Sequence, residues 1–203
     1  MASPPLVLAS ASPRRRELMQ QAGYQFEVHA ADVDEDDYPQ GIMPADLAVS
    51  LARRKAERLA TRFPDRVILA ADTVVAFGDR VLGKPADAVE ARRMLRVLSG
   101  TTHIVITGVC VVHRIANLER VARAMSAVHM RPMLEREIAS YVESGLWHGK
   151  AGGYGIQDRD PFVRKGSGDY TNIVGLPMKL VKRLLSEAGI EPATGPADAP
   201  GKS

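Results

Sequence analysis

Cysteine is almost absent from this chain. Cys110 is the single one among 203 residues, so no disulfide can form within it. It lies in the apolar run 104–112, where a thiol behaves as a small buried hydrophobe. Aromatic residues are also scarce, at 5% with Trp147 the lone tryptophan, and the interleaved aromatics of a stacking platform for nucleic acid are missing. No apolar run approaches the length of a transmembrane helix. The first residues carry no basic segment leading into an apolar stretch, so no signal peptide is expected and a cytoplasmic protein is. Neither sign of charge dominates: 27 Lys and Arg stand against 24 Asp and Glu, for a net charge of +3. That balance describes neither a nucleic-acid tail nor a polybasic membrane patch, and neither partner is expected. The five histidines (His29, His103, His113, His129 and His148) have no neighbours at metal-ligand spacing and read as surface or strand residues.

With 45% apolar residues, the chain can bury an ample core. Residues 1–190 are expected to form one domain. Residues 191–203, rich in Pro, Ala and Gly, are expected to be a disordered tail. The tail ends in Gly201-Lys202-Ser203, but five residues separate Gly195 from Gly201 where a P-loop needs four, and no helix follows.

The most informative stretch is LVLASASPRRRELMQQAG, residues 6–23. It reads as a short strand, a tight loop and a helix, with Ser12 at the N-cap and Pro13 at the first helical position. A helix N-terminus attracts anions, and Arg14-Arg15-Arg16 in its first turn oppose the helix dipole unless something negative sits there. The reading is a phosphate site, with Arg14 or Arg15 gripping phosphate oxygens through paired hydrogen bonds.

Further along, residues 24–30 read as a second strand, and 32–37 hold five carboxylates, Glu35 among them. Residues 45–63 have helical periodicity, carry Lys55 and stop at Pro64. The apolar run 67–71 reads as a strand buried on both faces. Asp72-Thr73 follow it, and residues 74–77 and 80–82 pair across the Gly78-Asp79 turn. Gly83-Lys84-Pro85 makes a stiff loop that presents a lysine. Asp87 and Glu90 form a capping box for a helix ending near Ser99-Gly100. Two β-rich runs, 102–114 and 120–130, flank Ala116-Asn117. Helices are expected at 132–144 and 177–188, with a glycine-rich segment at 150–157 between them.

Asp72 is expected at the carboxyl end of its strand, where open α/β sheets bind ligands. There it is a cap, a metal ligand or a general base. Glu35 is the second carboxylate candidate. Two carboxylates facing an Arg/Lys cluster offer a hard-oxygen place for a divalent cation, Mg or Mn, between protein and polyphosphate. Lys55 and Lys84 act as point charges on phosphates.

Ser10-Ala11-Ser12-Pro13-Arg14-Arg15, Asp34-Glu35, Leu51-Ala52-x-x-Lys55-Ala56, Ala71-Asp72-Thr73-Val74-Val75 and Gly83-Lys84-Pro85 stand in the order and spacing of the Maf family. So do Ser99-Gly100-Thr101-Thr102-His103, Ala151-Gly152-Gly153-Tyr154-Gly155-Ile156-Gln157 and Val174-Gly175-Leu176-Pro177. The chain resembles that family from about Leu6 to Gly189. The resemblance implies a nucleoside triphosphate pyrophosphatase that needs a divalent metal and releases a monophosphate and pyrophosphate. It implies an α/β fold in which helices flank a mixed, elongated sheet and two lobes surround a cleft, akin to inosine triphosphate pyrophosphatases. It also implies a homodimer.

By that match Asp72 is the proton acceptor, and Arg14, Thr73 and Gln157 bear on substrate choice. Glu35, Lys55 and Lys84 match polar cleft positions, and Ser10, Ser12 and Arg15 belong to the phosphate loop. Glu35 and Asp72 are the expected metal ligands, with Asp72, Glu35 and Lys84 catalytic. The Gly-Tyr-Gly-Ile-Gln form resembles the branch acting on dTTP and UTP. The alternatives are a different base preference, such as 7-methyl-GTP, or a non-enzymatic nucleic-acid-binding or septum-associated regulator. Asp158, Gly153 and Asp169 depart from the pattern, standing where glycine, alanine and serine are usual.

Overall fold

In the computed structural model, which describes residues 4–158 and 162–193, one curled sheet organises the chain. The elements in order are β1 (Leu6–Ala9), α1 (Pro13–Gln21), β2 (Glu27–Val28), α2 (Pro44–Arg62), β3 (Val67–Phe77), β4 (Arg80–Leu82) and α3 (Ala88–Leu98). There follow β5 (Thr102–His113), β6 (Leu118–Met130), α4 (Glu135–Glu143), a 3-10 turn at Ala151–Gly153, β7 (Val163–Lys165), α5 (Tyr170–Val174) and α6 (Met178–Glu187). The strand order is β2-β1-β3-β5-β6-β7, with β4 added to β3. β1 is parallel to β2 and β3, and the remaining pairs are antiparallel. This is the mixed α/β architecture expected, built on three long strands, β3, β5 and β6.

Alternation along β3 and β5 divides the core. On one face Leu69, Ala71, Val109 and Val111 pack with Met19 of α1 and Val181 and Leu185 of α6. Further along that face Val75 and Val105 pack with Leu95 of α3 and Ile138 and Tyr141 of α4. The opposite face is covered by α2. Ala52, Ala56 and Leu59 meet Ile68, Ala70 and Cys110, while Leu47, Ala48 and Leu51 meet Val74, Ala76 and Ile106. Burial pushes the Cys110 thiol pKa up to about 12, so it is inert filling.

Asp72 does not end a strand. Residues 67–71 and 74–77 are one continuous strand, and Asp72 lies inside it opposite Gly108 of β5. On the other edge of β3, β1 pairs only with Val67 to Ala70 and β4 only with Val75 to Phe77. Ala71 to Val74 therefore face a gap in the sheet. The carboxyl end of the parallel pairing falls at Ala70, two residues before Asp72, so the switch-point logic holds although the strand continues.

Some expectations changed in extent. The strand over 24–30 shrinks to Glu27–Val28, both exposed, because little of it is buried. The helix over 132–144 begins only at Glu135, after Pro132. β7 and the short α5 lack a periodic signal; α5 is held by the Asp169 side chain accepting from the Thr171 amide (2.9 Å), a cap that aspartate supplies as serine would. Ser12 occupies the N-cap of α1 but its hydroxyl makes no capping bond. Ala193 donates to the Gly23 carbonyl (2.8 Å), and the rest of the expected tail, 194–203, lies outside the described residues. Among the described residues no helix is long and apolar enough to cross a membrane.

Candidate active site

The gap beside β3 opens onto a cleft of about 470 Å³. Its walls include Ser10, Ser12, Arg14, Arg15, Glu35, Lys55, Asp72, Thr73, Lys84 and Gln157, so the structure brings every expected site residue to one place. They arrive from six segments: the β1–α1 loop with the first turn of α1, the acidic loop, α2, the middle of β3, the loop after β4 and the loop after the 3-10 turn.

At the centre stands Lys55, buried with its ammonium between two carboxylates. Its Nζ donates to Asp72 Oδ1 in a very short contact and to Glu35 Oε1 at 2.7 Å. The other Glu35 oxygen accepts from Lys84 Nζ at 2.6 Å. Asp72 and Lys55 are both nearly covered, whereas Glu35 and Lys84 stand at the cleft mouth. Burial works to raise the Glu35 pKa, but the hydrogen bonds and charges of Lys55 and Lys84 outweigh it and hold it down to about 2. Glu35 is thus ionised at neutral pH. The other carboxylates of the acidic loop take different parts. Asp34 accepts from the Asp36 amide (2.9 Å), and Asp37 pairs with Arg54 (3.6 Å).

Gly108 explains how Lys55 reaches Asp72. A β-carbon on Gly108 would lie 2.2 Å from the Ala48 carbonyl oxygen and 2.6 Å from the Val49 nitrogen. Only glycine lets α2 lie against the sheet there, directly across from Asp72. Lys55, seven residues beyond Ala48 on the same helix face, then overhangs the carboxylate.

The two arginines diverge. Arg15 was expected to grip phosphate, but its guanidinium plugs the gap in the sheet. Nη1 donates to the Ala71 carbonyl (2.7 Å), Nε to the Gly175 carbonyl (2.8 Å) and Nη2 to Thr73 Oγ1 (3.0 Å). Desolvation lowers its pKa, and the charges of Asp72 and Glu35 oppose that. A planar fork with donors on three sides suits bare carbonyls at a sheet edge, which is why Arg is there. Arg14, by contrast, makes one long bond among the described residues, from Nη2 to the Gly149 carbonyl (3.3 Å). It lines the cleft at the N-terminal turn of α1. Thr73, on the strand face opposite Asp72, also touches Thr107 Oγ1 at 2.9 Å.

Two carboxylates converging on one cationic nitrogen is a donor set that suits a divalent cation. No group of three or more His, Cys, Asp or Glu able to hold a metal exists among the described residues. A cation here would therefore complete its shell with phosphate oxygens and water, the habit of Mg²⁺.

The model of the family described as Maf-like protein matches residues 5–188. The chain belongs to the Maf-like family. Among its relatives is the dTTP/UTP pyrophosphatase of Pelotomaculum thermopropionicum, 45% identical over 91% of this chain and 96% of that protein. The dTTP/UTP pyrophosphatase of Sphingopyxis alaskensis is 48% identical over 92% and 98%, and that of Salinibacter ruber is 46% identical over 89% of each. A solved HAM1 protein from Coxiella burnetii aligns at 16% identity with a TM-score of 0.41, over 62% of this chain and 72% of that one, too low to bear on the fold.

In this Maf-like protein several cleft residues escaped the sequence reading. His148 lines the cleft, stacked on Trp147 with ring centroids 3.7 Å apart, although the histidines were read as bystanders. Tyr154 lines it too; its hydroxyl meets buried His103 Nε2 at 2.6 Å. Lys150 is buried at the cleft wall, paired with Asp158 at 2.5 Å. The Gly152 amide donates to the Gly83 carbonyl (2.9 Å) and ties the glycine-rich segment to the Lys84 loop. The partners of Tyr154 and Gly152, His103 and Gly83, come from distant parts of the chain, so no local spacing signals those contacts.

Proposed function

We propose that this protein is a nucleoside triphosphate pyrophosphatase that hydrolyses dTTP and UTP to the monophosphate and pyrophosphate. The observation that carries the reading is the Glu35–Lys55–Asp72 constellation with Lys84 and Arg14 around one cleft, in a chain 45% identical over 91% of its length to a dTTP/UTP pyrophosphatase.

The phosphates lie over Ser10–Arg15, where first-turn amides and Arg14 donate to phosphate oxygens. Lys84 meets the outer phosphates at the mouth. Asp72, paired with Lys55, takes a proton from a water attacking the α-phosphorus. The bond from that phosphorus to the α,β-bridging oxygen breaks, and pyrophosphate leaves. Glu35 and Asp72 would hold a divalent cation, Mg or Mn. When bound, such a cation neutralises phosphate charge and favours departure of the pyrophosphate. Arg15 keeps the sheet edge closed behind the phosphate loop. Gln157 presents an amide donor and acceptor to the O4 and N3–H of a uracil or thymine edge. The reading carries with it a cytoplasmic location and a homodimer.

The test is pyrophosphate release from a nucleotide panel that includes dTTP, UTP, dCTP and 7-methyl-GTP. Asp72→Asn lowers kcat by about 10²–10³, as expected for a lost general base. Near-normal turnover in that variant removes Asp72 from the role. Release only from 7-methyl-GTP, or from none with salt-sensitive RNA binding instead, overturns the reading.

A further inference from the structure

Gln157 is exposed and makes no hydrogen bond to the protein among the described residues. A side-chain amide that tells one pyrimidine edge from another must nevertheless point in a set direction, since uracil and cytosine differ by reversing donor and acceptor. Whatever orients it must act through the backbone of its turn.

That turn is Gly155–Asp158, closed by the Asp158 amide donating to the Gly155 carbonyl at 3.1 Å. The residue that closes it is anchored from behind. Asp158 Oδ1 and Oδ2 accept from Lys150 Nζ at 2.5 and 2.6 Å, and the Tyr141 hydroxyl donates to Oδ2 in a very short bond. Lys150 and Asp158 side chains are each only 10% exposed. Gly155 lies flat on the pair: a β-carbon there would stand 2.9 Å from both Asp158 Oδ1 and Lys150 Nζ. Tyr141 is itself fixed in the core of α4, edge-on to Phe162 with centroids 5.0 Å apart. Two side chains from outside the turn, Tyr141 of α4 and Lys150 before the 3-10 turn, thus converge on the residue that follows Gln157. A buried ion pair is weak evidence for stability, and its best-attested use is to impose a single register.

We propose that Lys150, Asp158 and Tyr141 form a clasp that fixes the Gly155–Asp158 turn and so sets base discrimination by Gln157. Asp158 is a positioning residue and contacts no substrate. The inference rests on the reading of this cleft as a pyrimidine nucleotide site, and it gives a function to the aspartate that departs from the family pattern.

The experiment compares Asp158→Asn, Tyr141→Phe and the charge-neutral pair Asp158→Asn with Lys150→Met, each alone and combined with Gln157→Ala. Circular dichroism reports folding. Pyrophosphate release gives kcat and KM for dTTP and dCTP. Calorimetry gives Kd for the α,β-imido analogues of dUTP and dCTP, which reports discrimination without turnover. The clasp predicts that the dTTP:dCTP ratio of kcat/KM falls about tenfold in Asp158→Asn, mainly through KM. Adding Gln157→Ala lowers it less than twofold further, the non-additivity of residues acting as a unit. The analogue Kd ratio moves in step, and Tyr141→Phe gives a smaller loss of the same kind. An unchanged ratio in the folded variants, or a full multiplicative loss on adding Gln157→Ala, overturns the clasp. Wild-type protein that releases no pyrophosphate from any nucleotide overturns the proposed function instead, and the analogue affinities then decide the clasp separately.

Discussion

Arg15 and Arg14 are neighbours in one helical turn, yet the structure gives them opposite duties, and exchanging each for lysine separates the two. The Arg15 guanidinium satisfies the Ala71 and Gly175 carbonyls and two hydroxyls from one plane. A lysine ammonium carries the same charge but cannot reach acceptors on three sides. At least one partly buried carbonyl loses a charged donor, and a hydrogen bond to a charged group contributes about 1.5–3 kcal/mol. With the weaker bond to Thr73 also lost, Arg15→Lys costs about 2–4 kcal/mol. For a chain of this size that lowers Tm by roughly 5–15 °C. Arg14 has only its 3.3 Å bond to Gly149, so Arg14→Lys shifts Tm by less than about 2 °C while raising KM for dTTP roughly tenfold. Differential scanning calorimetry and pyrophosphate release measure the two effects. If Arg15→Lys melts with wild type while its KM rises, the guanidinium belongs to the substrate and the sheet-edge assignment is wrong.

His103 gives a pH test. Burial, with a smaller contribution from His129, lowers its pKa from 6.5 to about 4. The unfolded chain binds a proton that the folded one refuses, so this stability is complete above about pH 6.5 and is lost as pH falls toward 4, up to about 3 kcal/mol. Urea unfolding at pH 4.5–7 shows a shallower slope in His103→Asn, and equal slopes would discount the histidine. Gly108→Ala drives a methyl into the α2 backbone and costs about 3 kcal/mol or more, with a fall in kcat as Lys55 is displaced; an unaltered melting curve contradicts the close approach. Lys55→Met leaves buried Asp72 without its ion-pair partner and Glu35 with Lys84 alone, and destabilises by about 3–5 kcal/mol. Millimolar Mg²⁺ recovers part of that loss if the carboxylates accept a cation, and a midpoint indifferent to Mg²⁺ speaks against them as ligands.

The elements that were legible in advance are those whose signal is local. The capping of α3 by Asp87, the buried β3 run, the hairpin at Gly78 and the apolar face of α2 follow from periodicity and turn chemistry over a few residues. The ten candidate residues were likewise named from short motifs, and all ten border the cleft. What was misjudged is where the tertiary structure spends each group. Nothing near Arg15 in the chain shows that Gly175, 160 residues away, will take its Nε. Nothing near Lys55 shows that burial will leave its ammonium between two carboxylates.

Sequence alone therefore settles which residue types are available and which local segments carry them, because propensity and periodicity act between neighbours. The fold settles the ionisation of Glu35, the partners of each group and the gap between β1 and β4 that lies beside the cleft. Those depend on which distant backbones approach closely, and Gly108 under α2, the clasp behind Gln157 and the plug at Arg15 exist only once the sheet has formed.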